Sequence, residues 1–306
     1  MSWLLLAFSG PVLWAASTHI DKYLVETYFK NAGVGALLIF TSLIGLLGLP
    51  LIAAFNDVLV LGPTGIAVTA FSGLLYMTAM YFYLQALQGE EASVIAPLFQ
   101  TSPLFVYGLA YVALGETLSL KQLFGGFLIL ASALSVSFEP KGFTRKNFKI
   151  RTALLMVACA FSLALSSVIF KFFAIHDAFW PTTFWNFAGE AVLGAILLAV
   201  PSIRRQFFAL FRKHPGAMIA INGANELINL SGGLAARYAS LLGPVALVQA
   251  ISGTTSLFVF LFGVLLSLFL PRWGREDLSL RSLIQKGIAV ALIVTGVILI
   301  GGNGPQ

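Results

Sequence analysis

The stretch "LSLKQLFGGFLILASALSVS", residues 118–137, decides the fold on two counts. It is an apolar run close to the ~20 residues that a helix needs to cross a lipid bilayer. It also recurs near the end of the chain, as "LSLRSLIQKGIAVALIVTGVIL" at residues 278–299. The chain is therefore expected to cross a membrane and to contain an internal repeat.

The composition of the whole chain indicates a lipid environment. Of its 306 residues, 58% are hydrophobic and 10% are charged, against roughly 25% charged residues in soluble domains. So few charges cannot cover a surface that faces water, which excludes a soluble globular protein. The single cysteine, Cys159, lies inside an apolar run, so no disulfide framework is expected.

Ten apolar windows have the length of a membrane span. They are residues 3–22, 33–55, 64–87, 92–114, 119–138, 152–173, 179–200, 216–236, 243–270 and 281–301. The runs are continuous, whereas a membrane β-barrel shows alternating segments of about 10 residues, so the spans are predicted to be helices. No Lys or Arg precedes the first window, and we interpret it as a retained helix rather than a signal peptide. The predicted fold class is an all-α polytopic membrane protein with ten transmembrane helices.

Two further matches extend the repeat over the chain. The stretch "PLFVYGLAYVALGE" (103–116) is paralleled by "SLFVFLFGVLLSLF" (256–269), and "LWAASTHIDK", ending at Lys22, by "LALSSVIFK", ending at Lys171. Five spans per copy is an odd number, so the second copy enters the membrane in the opposite sense. The sequence thus predicts two inverted five-helix repeats, residues 1–142 and 150–302, with a site near the midplane between them.

The distribution of positive charge predicts the orientation. The formal net charge is +6, and most of the Lys and Arg residues in the connections fall on one side of the predicted membrane, with Lys121, Lys171 and Arg237 on the other. Cytoplasmic loops collect Lys and Arg. Both termini are therefore predicted to be non-cytoplasmic in a multi-pass plasma (inner) membrane protein. The stretch "SIRRQFFALFRKH" (202–214) is interpreted as a helix along the membrane interface, which explains its basic and aromatic residues better than nucleic-acid binding does.

The eighth window contains the most unusual polar residues of the chain, in "NGANELINL" (222–230). Asn222, Asn225, Glu226 and Asn229 are spaced i, i+3, i+4 and i+7, which places them on one face of a helix. A carboxylate in mid-bilayer costs ~2.5 kcal/mol or more. It is therefore expected to face a wet cavity, to find a partner, or to carry a proton.

Other polar residues fall on matching helix faces. In the seventh window Thr183, Asn186 and Glu190 share one side of the helix. When the Asn222 face is shifted back by the repeat offset, it falls on residues of the third window: Thr69, Ser72, Gly73 and Tyr76. The same helix face continues to Tyr83. These faces predict a cavity between the halves, with an acidic, amide-rich wall opposite a wall of hydroxyl and aromatic groups.

The fourth and ninth windows are expected to have irregular backbone. Pro103 removes one helical hydrogen bond, and Gly253 lies among hydroxyl residues at the equivalent depth. Broken helices that expose backbone dipoles toward a cavity recur in transporters. The candidate lining residues on these two windows are Gln100, Ser102, Gln249, Ser252 and Thr255.

Three cations are candidates for the mouth of the pathway: Lys22, Lys171 and Arg237. Lys22 and Lys171 end their spans, and long cationic side chains can instead extend to the interface. Arg237 lies at the edge of the Glu226 face. For Glu226, the alternative to a functional role is a structural hydrogen bond to Arg237 or to a neighbouring backbone group. Trp14 is a candidate substrate contact or a packing residue.

A family resemblance accompanies these patterns. Residues 83–137 look like the EamA repeat of the drug/metabolite transporter superfamily, with Gly89-Glu90, Pro103, Gly115-Glu116 and "LSL" at 118–120 in the family's places. Trp14 and Lys22 resemble a tryptophan and a lysine of the family's first span. The second half departs from the pattern, with Thr255 in place of Pro103 and a longer insert, "LPRWGREDLSL". The resemblance implies the fold and a transporter, and names no substrate.

Two classes of function remain from the residues alone. A secondary transporter needs a polar pathway between repeats and no ATP site, and the chain has no G-x-x-x-x-G-K-[ST] phosphate loop. The alternatives are a polytopic membrane enzyme, whose catalytic motifs are not found, and a non-transporting scaffold or receptor. No metal or cofactor site is predicted. Because apolar surroundings disfavour the charged carboxylate, Glu226 is predicted to carry protons, with Glu190 as the less favoured carrier and exchange without protons as the alternative. The family resemblance implies export of small metabolites, amino acids or drugs, and import stays open. Ten spans in two halves can enclose a complete pathway, so a monomer is expected.

Overall fold

The computed structural model describes residues 2–27, 33–89, 98–99, 101–137, 150–176, 179–213, 215–269 and 280–301. In these ranges the chain forms helices joined by short connections and no β-strand. The helices are α1 Ser2–Thr27, α2 Val34–Ile44, α3 Leu49–Phe55, α4 Gly62–Gly89, α5 Ser102–Leu114, α6 Leu120–Ser137, α7 Ile150–His176, α8 Phe179–Ala199, α9 Pro201–Lys213, α10 Gly223–Leu242, α11 Val245–Ser252, α12 Thr255–Phe269 and α13 Leu280–Gly301.

Six helical stretches of the described residues are long and apolar enough to cross a membrane. They are Trp3–Asp21, Gly35–Phe55, Gly62–Ala86, Ile150–Ile175, Phe179–Ala199 and Val245–Leu266. Three shorter apolar helices lie where the fourth, fifth and tenth spans were predicted: Ser102–Leu114, Leu120–Ser132 and Gly287–Ile300. The chain is therefore a multi-pass membrane protein. The helix α10 falls outside this apolar set.

Several predicted spans contain breaks. A 3₁₀ turn, Gly45–Gly48, separates α2 from α3, and a π-helical turn, Ala217–Asn222, precedes α10. The ninth window divides into α11 and α12 at Gly253–Thr254, so its irregular backbone is confirmed. In the fourth window, Pro103 lies in the first turn of α5, where its missing N–H costs no helical hydrogen bond. Pro103 thus begins a helix rather than interrupting one.

The most extensive packing pairs a helix of the first half of the chain with a helix of the second half. The longest helix contacts are between α1 and α10, between α4 and α7, and between α6 and α13. The helix α2 packs on α8, and α5 packs on α7 and α11. As a result, α4, α7, α8 and α10 form the centre of the molecule, with α2 beside them.

The closest backbone approach in this centre is between α4 and α8. A Cβ atom added at Gly73 would lie 1.9 Å from the backbone oxygen of Asn186, and one added at Gly189 would lie 1.8 Å from that of Ala70. No real Cβ contact is that short, so both positions require glycine. Small residues allow this kind of close helix packing inside membranes.

Candidate functional site

A small polar cavity lies among α2, α4, α8 and α10. Its volume is about 30 Å³, enough for a water molecule, which needs roughly 10–15 Å³. The lining residues are Thr41, Ile44, Tyr76, Phe187, Glu190, Glu226, Asn229, Leu230, Gly233 and Arg237. The cavity therefore joins side chains from both halves of the chain, and it includes both carboxylates that were singled out from the sequence.

Glu226 is the least satisfied charged group of this cavity. Its side chain is 7% exposed. The Thr41 hydroxyl donates to Glu226 Oε1 at 2.7 Å, while Oε2 is buried without a hydrogen bond from any described residue. Leaving a buried charged oxygen unpaired is unfavourable. A carboxyl group in this setting is suited to hold a proton, a water molecule or a cationic group of a solute.

Glu190 has the opposite arrangement, because a guanidinium neutralises it. Arg237 Nη2 donates to Glu190 Oε1 at 2.6 Å, and both residues lie at the cavity. Arg237 was considered from the sequence as a structural partner of Glu226, but its guanidinium pairs with Glu190 of α8 instead. Arg237 thereby links α10 to α8.

Three aromatic rings surround the Arg237 guanidinium. Its Cζ atom lies 5.0 Å from the ring centre of Phe187, 5.3 Å from that of Phe170 and 5.7 Å from that of Tyr76. Each such cation–π contact contributes roughly 0.5–2 kcal/mol, and more when the cation is desolvated. These rings and Glu190 together fix the position of the cation beside the cavity.

The amides of α10 serve the surrounding contacts. Asn225 Nδ2 donates to Asp21 Oδ1 at 2.6 Å, while Asn225 Oδ1 is buried without a partner among the described residues. Trp14 Nε1 donates to the backbone oxygen of Asn229 at 3.2 Å. Asn222 is buried and ends the π-helical turn before α10. Trp14 and Asp21 thus tie α1 to the polar face of α10.

On the other side of the cavity, the predicted face of α8 meets α4. Asn186 Nδ2 donates to Ser72 Oγ at 2.9 Å, and Ser166 Oγ donates to the backbone oxygen of Ser72 at 2.8 Å. Thr183 is fully buried and donates to the backbone oxygen of Phe179 at 2.8 Å. At Ser72 and Asn186, the hydroxyl wall and the amide wall predicted from the sequence are therefore in direct contact.

The candidate residues on the broken helices lie outside the cavity lining. Ser102 Oγ donates to the Ala160 oxygen at 3.4 Å, and Gln249 Nε2 to Ser167 Oγ at 2.8 Å. Ser252 and Thr255 donate to backbone oxygens of their own segment at 3.0 and 2.7 Å.

Of the remaining candidates of the first half, Tyr83 is not among the residues that line the cavity. Tyr83 packs edge-on against Phe99, with ring centres 5.3 Å apart. Gln100 and the side chain of Lys22 lie outside the described residues.

Lys171 is buried, so the expectation that its side chain extends to the interface is wrong. Its Nζ atom contacts Glu116 Oε1 at 2.5 Å and donates to the Gly243 backbone oxygen at 2.6 Å. Glu116 Oε2 in turn accepts from the Val245 N–H, at the start of α11, at 3.1 Å. These contacts, here called the Lys171 latch, fasten the α5–α6 connection to the end of α7 and to the corner between α10 and α11. They lie beside an open cleft of about 570 Å³.

Three residues that make these contacts were not predicted as site residues from the sequence: Thr41, Asp21 and Glu116. The repeat carried a signal for Thr41, because the offset between Lys22 and Lys171 also relates Thr41 to Glu190. Glu116 appeared as part of a Gly-Glu pair, with no indication of its partner. Asp21 lies two residues after His19 in the sequence, and nothing near it indicates its partner Asn225. Long-range partners of this kind do not follow from helical spacing.

The chemistry available at the cavity is polar binding and proton exchange. It offers two carboxylates, one guanidinium, an amide and two hydroxyl groups. In the part of the chain that the structure describes, no three His, Cys, Asp or Glu side chains lie together in a way that could hold a metal ion.

Comparisons with known proteins relate the first part of the chain to a family of membrane transporters. A model of the EamA-like transporter family matches residues 1–138. No curated protein matches the sequence. Among 28 matching chains of solved structures, one crystal structure is 20% identical, covers 97% of this chain and 96% of its own, and superposes with a TM-score of 0.65; at that identity it shows a shared fold alone. By this match, residues 1–138 are similar to the EamA-like transporter family, which belongs to the drug/metabolite transporter superfamily.

Proposed function

We propose that this protein is a secondary active transporter that exports small metabolites, amino acids or drugs by alternating access, with proton coupling through Glu226. It would act as a monomer in the plasma (inner) membrane, with both termini on the non-cytoplasmic side. Its ten spans would form two inverted five-helix repeats. The match to the EamA-like family supports membrane transport of the drug/metabolite transporter type. The proposal adds a direction, a solute class and a coupling ion.

One observation carries the coupling role: the buried Glu226 carboxyl at a cavity between the halves has an oxygen without a partner. Intramembrane acids are expensive to keep and are functional by default. Glu190 is the weaker candidate for the proton carrier, because Arg237 already neutralises it. Glu226 accepts a hydrogen bond from the Thr41 hydroxyl and has no ion-pair partner among the described residues, so gain and loss of a proton would change its interactions most.

The packing supports inverted repeats. The first span of each half packs on the third span of the other, as α1 with α10 and α7 with α4. Where α2 crosses α8, Gly45 lies against Phe187 and Gly194 against Ser42. The two glycines are related by the same offset as Lys22 and Lys171. A two-fold relation between the halves accounts for both pairs of contacts.

The contacts also support a conformation closed on one side. Because successive spans alternate in direction, the start of α4, the start of α8 and the ends of α7 and α10 would lie at the same membrane surface. The Lys171 latch lies near that surface, and the close approach of Gly73 and Gly189 lies further inside, near the middle of α8. By the charge distribution that surface would be the non-cytoplasmic one. The equivalent pair on the other side, α2 and α10, touches far less.

The charges at the cavity favour polar or zwitterionic solutes over bulky hydrophobic ones. A solute ammonium would find the free oxygen of Glu226, and a solute carboxylate would find Arg237. A cavity of about 30 Å³ is too small for any metabolite. Binding would therefore require α2 to move away from α10, which is the least tightly packed of the central contacts.

The test uses purified protein in lipid vesicles. A metabolite library is first screened for solutes that raise the thermal unfolding midpoint, since a ligand that binds the folded state stabilises it. Uptake of a hit is then measured with and without an imposed pH gradient. Glu226→Gln should retain exchange of the solute across the membrane and lose accumulation driven by the gradient.

Two matched variants complete the test. Asp57→Asn removes an exposed acid outside the cavity and should transport like the wild type. Glu190→Gln should impair binding and exchange, because it frees Arg237 from its partner. If Glu226→Gln accumulates the solute as the wild type does, the proton-coupling role is wrong, although the assignment as a transporter would stand.

A further inference from the structure

The helix α9 differs from the others in position and in composition. A single residue, Val200, separates α9 from the end of α8, and Pro201 lies in its first turn. A few residues after α9, the π-helical turn leads into α10. Its first end thus follows a candidate membrane span, and its last end leads into α10, which packs along α1 and which the proposed function takes as a span. A helix of 13 residues, about 20 Å long at 1.5 Å per residue, must then lie along the membrane surface, at the level of the lipid headgroups.

One face of α9 packs on α2. Phe207 is buried against Phe40, with ring centres 4.9 Å apart, and Ile203 lies against Gly35. Gln206 Oε1 also accepts from the Gly33 N–H at 3.2 Å. This face is therefore fully used by contacts within the protein.

The other face of α9 is basic and exposed. Its residues are spaced i, i+1, i+4, i+8 and i+9, which places them on one side of the helix; they are Arg204, Arg205, Phe208, Arg212 and Lys213. The helix contains no Asp or Glu, and within the described ranges no carboxylate pairs with these cations. The Phe208 ring lies among the four cations and is 47% exposed. An aromatic ring within a basic surface suits insertion between headgroups.

We propose that this face of α9 binds the headgroups of anionic phospholipids and thereby holds α2 in its place beside the transport site. The charge complementarity is direct, since four cations without an acid face the level at which lipid phosphates lie. An acidic segment of another protein would satisfy the cations equally well, but it would leave the exposed Phe208 ring unexplained.

The position of α9 connects lipid binding to transport, and this consequence rests on the proposed function. α9 joins α8, which carries Glu190, to α10, which carries Glu226. It also packs on α2, whose Thr41 donates to Glu226. A change in how α9 is held at the surface would move the contact between α2 and α10, which is where the cavity must open.

The experiment measures binding separately from transport. The thermal unfolding midpoint of the detergent-purified full chain is followed during titration with phosphatidylglycerol, phosphatidylcholine or inorganic phosphate. Three proteins are compared: the wild type, a variant with Arg204, Arg205, Arg212 and Lys213 all changed to Gln, and a variant in which the three arginines are changed to Lys. The substituted side chains are exposed, so folding should be preserved, and circular dichroism checks this.

Phosphatidylglycerol should raise the unfolding midpoint of the wild type and of the Lys variant. The Gln variant should need at least about tenfold more of this lipid for the same rise. The effect should weaken as salt is added. Phosphatidylcholine and phosphate should have little effect on any of the three. An equal response of wild type and Gln variant to phosphatidylglycerol would overturn the proposal, as would stabilisation by phosphate alone.

Transport in vesicles with and without phosphatidylglycerol then tests the consequence. Wild type should respond to the lipid, and the Gln variant should not. If the binding difference is found but transport is indifferent to the lipid, the headgroup site stands and its coupling to the cavity is wrong. If no solute is transported at all, the proposed function fails while the binding result remains interpretable.

Discussion

Two helix pairs that the proposed inverted repeat would relate to each other, α4 with α8 and α10 with α2, are built differently. The repeat offset that relates Asn222 to Thr69 also relates Glu226 on α10 to Gly73 on α4. At Gly73 the backbones of α4 and α8 touch, since an added Cβ would lie 1.9 Å from the Asn186 oxygen. At Glu226 the contact with α2 is a side-chain hydrogen bond from Thr41, beside a cavity.

This difference indicates how one fold makes a seal and an opening from equivalent positions. Glycine lets two helices approach until no water fits between them, and packing density then makes the contact hard to separate. A glutamate at the matching place keeps the helices further apart, and its free oxygen favours water. The α4–α8 pair would therefore stay closed in this conformation while the α2–α10 pair is ready to separate.

The largest expected effect on stability follows a side chain placed in the closed pair. Gly189→Val adds three carbons where the first would already lie 1.8 Å from the Ala70 backbone oxygen. Because a backbone cannot turn aside as a side chain can, the loss should exceed about 3 kcal/mol. The measurement is the yield of folded protein and its thermal unfolding midpoint in detergent.

The control is the same change at Gly108 on α5, where an added Cβ meets nothing within 4 Å. Gly108→Val should leave the midpoint almost unchanged. If Gly189→Val behaves like Gly108→Val, α4 and α8 are not in backbone contact, and the contrast between the two pairs disappears.

The next effect concerns the latch on the closed side. Lys171→Met keeps the length of the side chain and removes the charge, so Glu116 loses its contact at 2.5 Å and Gly243 its donor. A hydrogen bond to a charged group contributes about 1.5–3 kcal/mol, and the unfolding midpoint should fall accordingly.

A double-variant cycle separates pairing from general damage. Glu116→Gln in the Lys171→Met background should cost much less than Glu116→Gln in the wild type, because the charge has lost its partner already. Additive losses would show that the two residues stabilise the chain independently, and the latch would not exist as a unit.

Much of the fold follows from the sequence, because lipid imposes strict requirements. Every backbone polar group must be satisfied inside the membrane, so long apolar runs are helices. Most of the predicted windows are accordingly helical where the structure describes them. The breaks at Gly45–Gly48 and at the π-helical turn before Gly223 were not predicted, since isolated glycines within apolar helices rarely indicate which one ends a helix.

The site was predictable only in part, and helix faces explain where the limit lies. Spacing placed Glu226 and its three asparagines on one side of a helix, and both the acid and Asn229 line the cavity. Spacing does not state which neighbour a face will meet. Arg237 was therefore considered as a partner for Glu226, but it pairs with Glu190 on the neighbouring helix α8. Glu116 and Lys171 are far apart in sequence, and nothing local announces their pair.

The smallest change in stability is expected where the effect on transport should be largest. Glu226→Gln keeps an oxygen that can accept from the Thr41 hydroxyl and removes a buried charge whose second oxygen has no partner. Unpaired buried charge is unfavourable, so the unfolding midpoint should stay level or rise, by an amount equivalent to less than about 1 kcal/mol. Glu190→Gln is the matched control. Its unfolding midpoint should fall clearly, because Arg237 would keep its charge and lose its carboxylate partner. A clear loss in Glu226→Gln would mean that its charge holds α2 and α10 together, so that the second pair is a fixed contact as the first one is.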